Sequence, residues 1–253
     1  MYSLSVGALF KNESAGMKEW LDHYIARGAQ HFYLIDDNST DNYMEVLAPY
    51  IDRGFVTLYI GKEPYYVGRQ RNYYNRHILP HAHETEWLIM VDMDEYIWSP
   101  KLTNLYVLLK LYFNDIAQIQ IVHTLFGSNG HISQPTSIVA GFTKRTKEVP
   151  SVIFSTKYII NTKYKVKSLN IHHATLENEE DIRDKFKIYP PDWFRMNHYS
   201  CQSRDFWRDV KCTRGDADQF RSRGVDDAFW QEIDINEVED TELCEQNRRL
   251  GLC

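Results

Sequence analysis

The sequence predicts an α/β domain with a mostly parallel central sheet flanked by helices. Three observations support this: strand and helix periodicities alternate through the N-terminal half, their connections are short, and successive strand ends carry ligand-type residues. Residues 3–10 form a first apolar strand. Residues 14–27 follow as a helix, with Met17, Trp20, Leu21, Tyr24 and Ile25 at helical spacing and Gly28 as its stop. Residues 31–35 make a second strand running into Asp36-Asp-Asn-Ser-Thr-Asp41, whose polar side chains can cap a helix over 42–50. The outline then repeats, with a strand at 55–60, a helix at 67–79 closed by Pro80, and a strand at 86–91. Beyond these, a helix is expected near 102–113, strands at 117–123, 137–143, 152–160 and 169–175 that can include antiparallel additions to the sheet, and helices at 202–213 and 239–249.

Composition narrows the function. The chain has 253 residues, 43% of them hydrophobic and 25% charged, which suits one domain with a tail. A net charge of -6 argues against a nucleic-acid partner. The N-terminus lacks the basic head and small-residue cleavage site of a signal peptide, and no apolar run approaches the ~20 residues of a membrane helix, so no membrane span is expected. Cys201, Cys212, Cys244 and Cys253 show no Cys-x-x-Cys spacing and are expected as reduced thiols. The sequons Asn12-Glu-Ser14 and Asn38-Ser-Thr40 fall in loops that face the expected site, where a glycan would obstruct a ligand; this favours a cytoplasmic location.

The stretch Trp87-Leu-Ile-Met-Val-Asp-Met-Asp-Glu-Tyr96 delivers Asp92, Asp94 and Glu95 where an apolar strand ends. Side chains two apart on a strand share a face, so Asp92 and Asp94 can converge on one hard cation with Met93 turned away. Magnesium and manganese take such carboxylates together with substrate phosphates, the arrangement of an enzyme that binds a nucleoside diphosphate. The alternative is that the acids solvate a strand end and cap a turn. Ligands of open α/β sheets bind beyond the carboxyl ends of strands, so Lys11-Asn-Glu13, Asp36-Asp37 and Asp92/Asp94 should line one cleft.

Arg69 and Arg71 open the helix before the acidic strand, where they suit either a diphosphate or surface ion pairs. Asp36 or Asp37 can meet a base or ribose while a later residue, Ser39, Thr40 or Asp41, caps the next helix. Phe126-Gly-Ser-Asn-Gly-His131 fits an acceptor loop or a plain turn. Among ten histidines, His198 and, less so, His172 could supply a third metal ligand, although a lone histidine is commonly structural. Tyr65, Tyr66, Tyr73, Trp98, Trp193 and Tyr199 offer ring faces for a sugar, or core.

Taken together, Phe10-Lys-Asn-Glu13, Glu19-Trp-Leu-Asp-His-Tyr24, His31-Phe-Tyr-Leu-Ile-Asp-Asp-Asn-Ser-Thr-Asp41, Val91-Asp-Met-Asp-Glu-Tyr96, Leu125-Phe-Gly-Ser-Asn-Gly-His131 and Asn197-His-Tyr199 resemble the A-type glycosyltransferases, specifically their family 92-like or family 2-like members. The resemblance covers the chain to about residue 215. It implies a Rossmann-like A-type fold, with a glycosyltransferase domain at 1–215 (nucleotide-sugar half about 1–100, acceptor half about 101–215); beyond the match, residues 216–253 are expected as a helical extension packed on the same domain. It further implies a nucleoside diphosphate sugar donor, most naturally a UDP-sugar, a glycan or glycoconjugate acceptor, and Mn2+ or Mg2+ on an Asp-x-Asp pair. Residue by residue, Asp94 would bind the metal directly, Asp92 the metal or ribose, and Asp37 or Asp36 the base or ribose, with Phe10, Asn12 and Glu13 flanking the nucleotide. An inverting reaction would also need a base, for which Glu95, Asp216, Asp226 and Asp227 are candidates. Two other readings remain open at this level: a metal-dependent nucleotidyltransferase and a noncatalytic nucleotide-sugar-binding module.

Overall fold

The computed structural model describes residues 1–147, 156–188, 191–214 and 227–252. In chain order the first half runs β1 (Tyr2–Phe10), α1 (Ser14–Ala26), β2 (His31–Asp36), α2 (Tyr43–Asp52), β3 (Val56–Ile60), α3 (Arg69–Tyr73), β4 (Thr85–Met90), β5 (Glu95–Trp98) and α4 (Leu105–Tyr112). The second half runs β6 (Gln118–Leu125), α5 (Ile138–Gly141), β7 (Lys144–Arg145), β8 (Thr156–Asn161), β9 (Val166–Leu169), β10 (Ala174–Leu176), β11 (Phe186–Ile188), β12 (Arg195–His198), α6 (Arg204–Phe206), α7 (Cys212–Arg214), α8 (Asp227–Ile233), β13 (Val238–Glu239) and α9 (Glu242–Arg249).

The central sheet has the order β3-β2-β1-β4-β8-β6-β12-β5, with β11 also on β6. Strands β3, β2, β1 and β4 are parallel, and β6 is parallel to β11 and β12. Strand β8 runs antiparallel between β4 and β6, and β5 runs antiparallel to β12 at the edge. This is the expected α/β sheet flanked by helices, mostly parallel with two antiparallel insertions. Period-2 alternation splits its core. Leu4, Val6, Ala8, Phe32, Leu34, Trp87 and Ile89 face the cluster shared with α1, α2 and α4. Leu9, Tyr33, Ile35, Leu88 and Met90 face a second cluster on the other side. Because both faces are covered, β1 and β4 read as near-continuous apolar runs.

The first strands and helices lie close to the predicted positions. The helix expected at 67–79 instead begins at Arg69, after Gly68 at φ +82°, and continues past Tyr73 as a π turn and then a 3-10 turn to Glu84. Pro80 sits in the first turn of that 3-10 segment, where its missing N–H costs little. Two strand expectations are corrected. Within 137–143 the chain forms the helical turn α5: the Ser137 hydroxyl accepts from Ala140 N, and Glu19 accepts from Ser137 Oγ, Ile138 N and Val139 N. Those bonds satisfy the N–H groups of a helix start. Within 169–175 the chain turns, joining β9 to β10 in a separate hairpin, with Asn170 O accepting from Tyr158 Oη and Ala174 N bonding Gln118 Oε1. The strand expected at 152–160 is described only from Thr156 onward. The helical expectation at 202–213 is met by α6, a π turn at Trp207–Lys211 and α7, and that at 239–249 by α9. Cys201, Cys212 and Cys244 are free thiols. Among the described residues no helix is long and apolar enough to cross a membrane.

Candidate active site

The carboxyl ends of β1, β2 and β4 open into one cavity of about 450 Å³. Its acidic wall is Glu13, Asp37, Asp92 and Asp94. The loops after β1 and β2 are stitched together: Asn12 N donates to Ser39 Oγ at 3.0 Å, Thr40 N to Asn12 Oδ1 at 2.7 Å, and Ser14 N to Asp41 Oδ2 at 2.8 Å. Asn12 takes a left-handed φ of 54°, which asparagine tolerates well. Asp36 turns inward, accepting from Ser39 N and Tyr43 Oη, while Asp37 lines the cavity with Arg69 Nη2 on its Oδ2 at 2.6 Å. The two early acids therefore divide their work. Asp41 caps the start of α1 rather than α2.

Asp92 and Asp94 lie past the end of β4, in a turn closed by Glu95 N donating to Asp92 O at 3.2 Å. Their approach thus comes from a turn and not from strand alternation, and Met93 both joins the core and lines the cavity. The turn is held from behind. Trp20 Nε1 lies 3.1 Å from Asp92 O and 3.0 Å from Glu95 O, Tyr24 Oη donates to Glu95 O at 3.0 Å, and Asp92 N donates to Glu95 Oε2 at 2.8 Å. From the other side, Tyr199 N donates to Asp94 O at 2.9 Å.

Side chains that the sequence reading had not singled out complete the site. Lys157, on the central strand β8, places Nζ 2.6 Å from Asp92 Oδ2 and 3.5 Å from Glu95 Oε2. Lys211 places Nζ 2.5 Å from Asp94 Oδ2 and 3.9 Å from Glu13 Oε1. Gln70 Nε2 reaches Asp92 Oδ1 at 3.3 Å. A lysine directly before the apolar run Tyr158-Ile-Ile was a visible signal, because a buried charge needs a partner. Lys211 and His123 carried none.

Strand β12 brings His198 opposite Glu95 on β5 and alongside β6, whose His123 it meets at an Nδ1–Nδ1 distance of 3.4 Å. His198 Nε2 stands 3.5 Å from Asp94 Oδ1. Ligand atoms of Glu95, His123 and His198 lie within 4.8 Å of one another. Burial works against ionisation of Asp94, yet the Lys211 ammonium and His198 outweigh it and hold the carboxyl well below its ordinary range. Burial likewise opposes the His198 imidazolium, and Asp94 overcomes it, raising its pKa. Burial pushes Glu95 up to about 7 against the pull of Lys157, and pushes His123 down to about 3, reinforced by His198. The carboxylate of Glu95 and the imidazoles of His123 and His198 could hold a divalent cation, which would have to displace any proton on His198.

Of the predicted site residues, Phe10, Glu13, Asp37, Asp92, Asp94 and His198 line the cavity. Arg69 reaches it through Asp37, whereas Asn12 and Asp36 are spent on the loops. Arg71 is exposed and off the wall, with its carbonyl accepting from Asn75. Glu95 lies buried beneath the turn. Asp216 and Asp226 fall outside the described residues, and Asp227 pairs with Arg204 at the start of α8. His172 bonds to Thr156 O. Tyr73, Trp98 and Tyr199 are core, and the cavity's own aromatics are Phe10, Trp207 and Phe229.

Sequence comparison decides the family: residues 1–234 match the model of glycosyltransferase family 92. The chain belongs to glycosyltransferase family 92. A glycosyltransferase family 92 protein of Oryza sativa subsp. japonica is 24% identical, over 76% of this family 92 chain and 37% of its own length. The chain thus spans little more than a third of the curated relative it matches. Among solved structures, S. aureus TarS 1–349 aligns at 15% identity and a TM-score of 0.46, covering 98% of this chain and 72% of that one. The same protein in complex with UDP-GlcNAc aligns at 16% and 0.47, covering 81% and 64%. HddC from Yersinia pseudotuberculosis aligns at 14% and 0.37, covering 77% and 92%.

Proposed function

We propose that this domain transfers a sugar from a nucleoside diphosphate sugar, a UDP-sugar by preference, to a hydroxyl of a glycan acceptor, with Mn2+ or Mg2+ on the acidic turn. The observation that carries this reading is the meeting of three strand ends on one cavity, with Asp37 and Arg69 at one side and Asp92, Asp94 and His198 at the other. Asp94 and His198 would hold the cation, with Glu95 and His123 directly behind. The cation would supply positive charge to the diphosphate as it departs. Phe10, Glu13 and Asp37 would flank the nucleoside, the carboxylate of Asp37 being oriented by Arg69. Glu95 acts as a positioning group: its carboxylate is engaged by Asp92 N and stands near Lys157, beneath the turn. Trp207 and Phe229 give the sugar end an aromatic wall.

A thermal-shift series of nucleotide sugars with and without Mn2+ tests the proposal, since a ligand bound only by the folded state raises its melting temperature. A UDP-dependent shift that grows with Mn2+ is expected. Asp94→Asn should lose that growth and lower transfer by about 10²–10³-fold, the usual cost of removing one electrostatic contact to a transition state. Undiminished transfer in Asp94→Asn, or release of pyrophosphate from a nucleoside triphosphate in place of donor turnover, would overturn it.

A further inference from the structure

Two lysines neutralise the acidic turn, and they differ in how they are held. Lys157 sits on β8, between β4 and β6, with its side chain only 4% exposed and two carboxylates, Asp92 and Glu95, fixed against it. Burial alone would discharge this ammonium, and the attraction of Asp92 and Glu95 keeps it charged. Its place is structural. Lys211 closes the short π turn Trp207–Lys211, lines the cavity, is 13% exposed, and extends four methylenes to Asp94 Oδ2. Trp207, Phe229 and Ile233 line the cavity with it.

Asp94 presents its two oxygens to two different partners, Oδ2 to Lys211 and Oδ1 to His198. A divalent cation on Asp94 and an ammonium 2.5 Å from the same carboxylate would repel one another, which weakens the hold on Lys211. A diphosphate brings new negative charge within reach of a flexible lysine. We propose that Lys211 is an exchangeable counter-ion: it neutralises Asp94 while the site is empty, and moves onto a diphosphate oxygen of the donor when a divalent cation takes its place. The exchange is electroneutral in kind. One carboxylate–ammonium pair becomes a carboxylate–cation contact and a phosphate–ammonium contact, and the departing diphosphate gains a second positive partner. Lys211 is thereby a catalytic residue that touches the leaving group. This rests on the reading of the cavity as a donor site.

The two halves of the exchange predict opposite signs in one variant. Mn2+ affinity, read by electron paramagnetic resonance without donor, should rise about tenfold in Lys211→Met because the competing ammonium is gone, while UDP affinity by calorimetry at saturating Mn2+ should fall about tenfold. Lys211→Arg, which keeps the charge and bonds to phosphate, should retain UDP affinity to within a few-fold and serves as the measured variant if the methionine form does not fold. A lysine that only props up the fold would weaken both ligands, and one that permanently replaces the cation would leave the wild type without Mn2+ uptake; either result overturns the exchange. Wild type that binds both ligands, with Lys211→Met unchanged, removes the exchange alone. Wild type that binds neither Mn2+ nor UDP removes the donor-site reading as well.

Discussion

Trp20 anchors the acidic turn through a single indole N–H shared between Asp92 O and Glu95 O, with the ring buried against Phe32 and Tyr24. Trp20→Phe keeps most of the packing and removes one of two donors from each carbonyl, Glu95 N and Tyr24 Oη remaining, so a stability loss of about 0.5–1.5 kcal/mol is expected in denaturant titration, together with weaker donor binding. His23 is one residue-scale source of acid sensitivity, alongside His123. Burial, aided by Arg27, depresses its pKa well below the usual value, and its Nε2 donates to Ile97 O at 2.9 Å, so the fold holds it neutral. The unfolded chain takes up a proton near pH 6.5 and the folded chain does not, so stability is full above that pH and falls below it, by up to about 1.4 kcal/mol per pH unit for this one group. Melting temperatures between pH 7 and pH 5 should therefore fall, and fall less steeply in His23→Gln. An identical slope in the variant would assign the sensitivity to other buried histidines. Asp92, Asp94 and Glu95 were legible in the sequence as acids ending an apolar strand. The turn that carries them was not, because it is held by distant residues, Trp20, Tyr24 and Tyr199, bonding to its carbonyls.

The loop at 126–131 shows how an element is placed by distant chain. Gly127 N donates to Lys144 O, Ser128 N and Oγ both reach the Asp234 carboxylate, and Asn129 N reaches Asn236 Oδ1. This latch fixes the end of α8, whose Phe229 and Ile233 line the cavity. A Cβ on Gly127 would stand 2.5 Å from Ile235 O, a backbone contact that cannot swing aside. Gly127→Ala should thus displace α8 and lower kcat/KM by up to about a hundredfold, the scale seen when catalytic geometry slips by an ångström. Steady-state kinetics would check it, and unchanged values would mean that α8 has no part in the site. Glycine spacing in Phe126-Gly-Ser-Asn-Gly-His131 flagged the loop, whereas its partners at 234–236 lie about a hundred residues on and left no local mark. The error at 137–143 has the same origin. An apolar run this short suits strand or helix alike, and Glu19, more than a hundred residues earlier, supplies the carboxylate that makes it a helix.

At the scale of the molecule, the chain's end is tied to its beginning. Arg27 at the close of α1 is fully buried and donates from Nη2 to Gln246 Oε1 at 2.7 Å and Asn247 Oδ1 at 2.8 Å on α9. Asn247→Ala should cost about 1–3 kcal/mol by depriving that charge of an acceptor, with UDP affinity unchanged because no residue of α9 lines the cavity. A loss of UDP affinity would show that α9 shapes the site after all. Short, nearly continuous apolar runs bounded by helical patterns made β1 to β4 readable, since both faces of the sheet are buried there. The antiparallel insertions β8 and β5, and the return of β12 between β6 and β5, depend on pairings across tens of residues and carry no periodic signature.

In the proposed function, the groups gathered at the carboxyl ends of β1, β2 and β4 grip a cation and the diphosphate it neutralises. Anomalous scattering from a crystal grown with Mn2+ and UDP tests it most directly. A single manganese peak beside the Asp94 carboxylate and His198 Nε2, touching the diphosphate, is the predicted result. A manganese and UDP pair bound anywhere outside this cavity would contradict it.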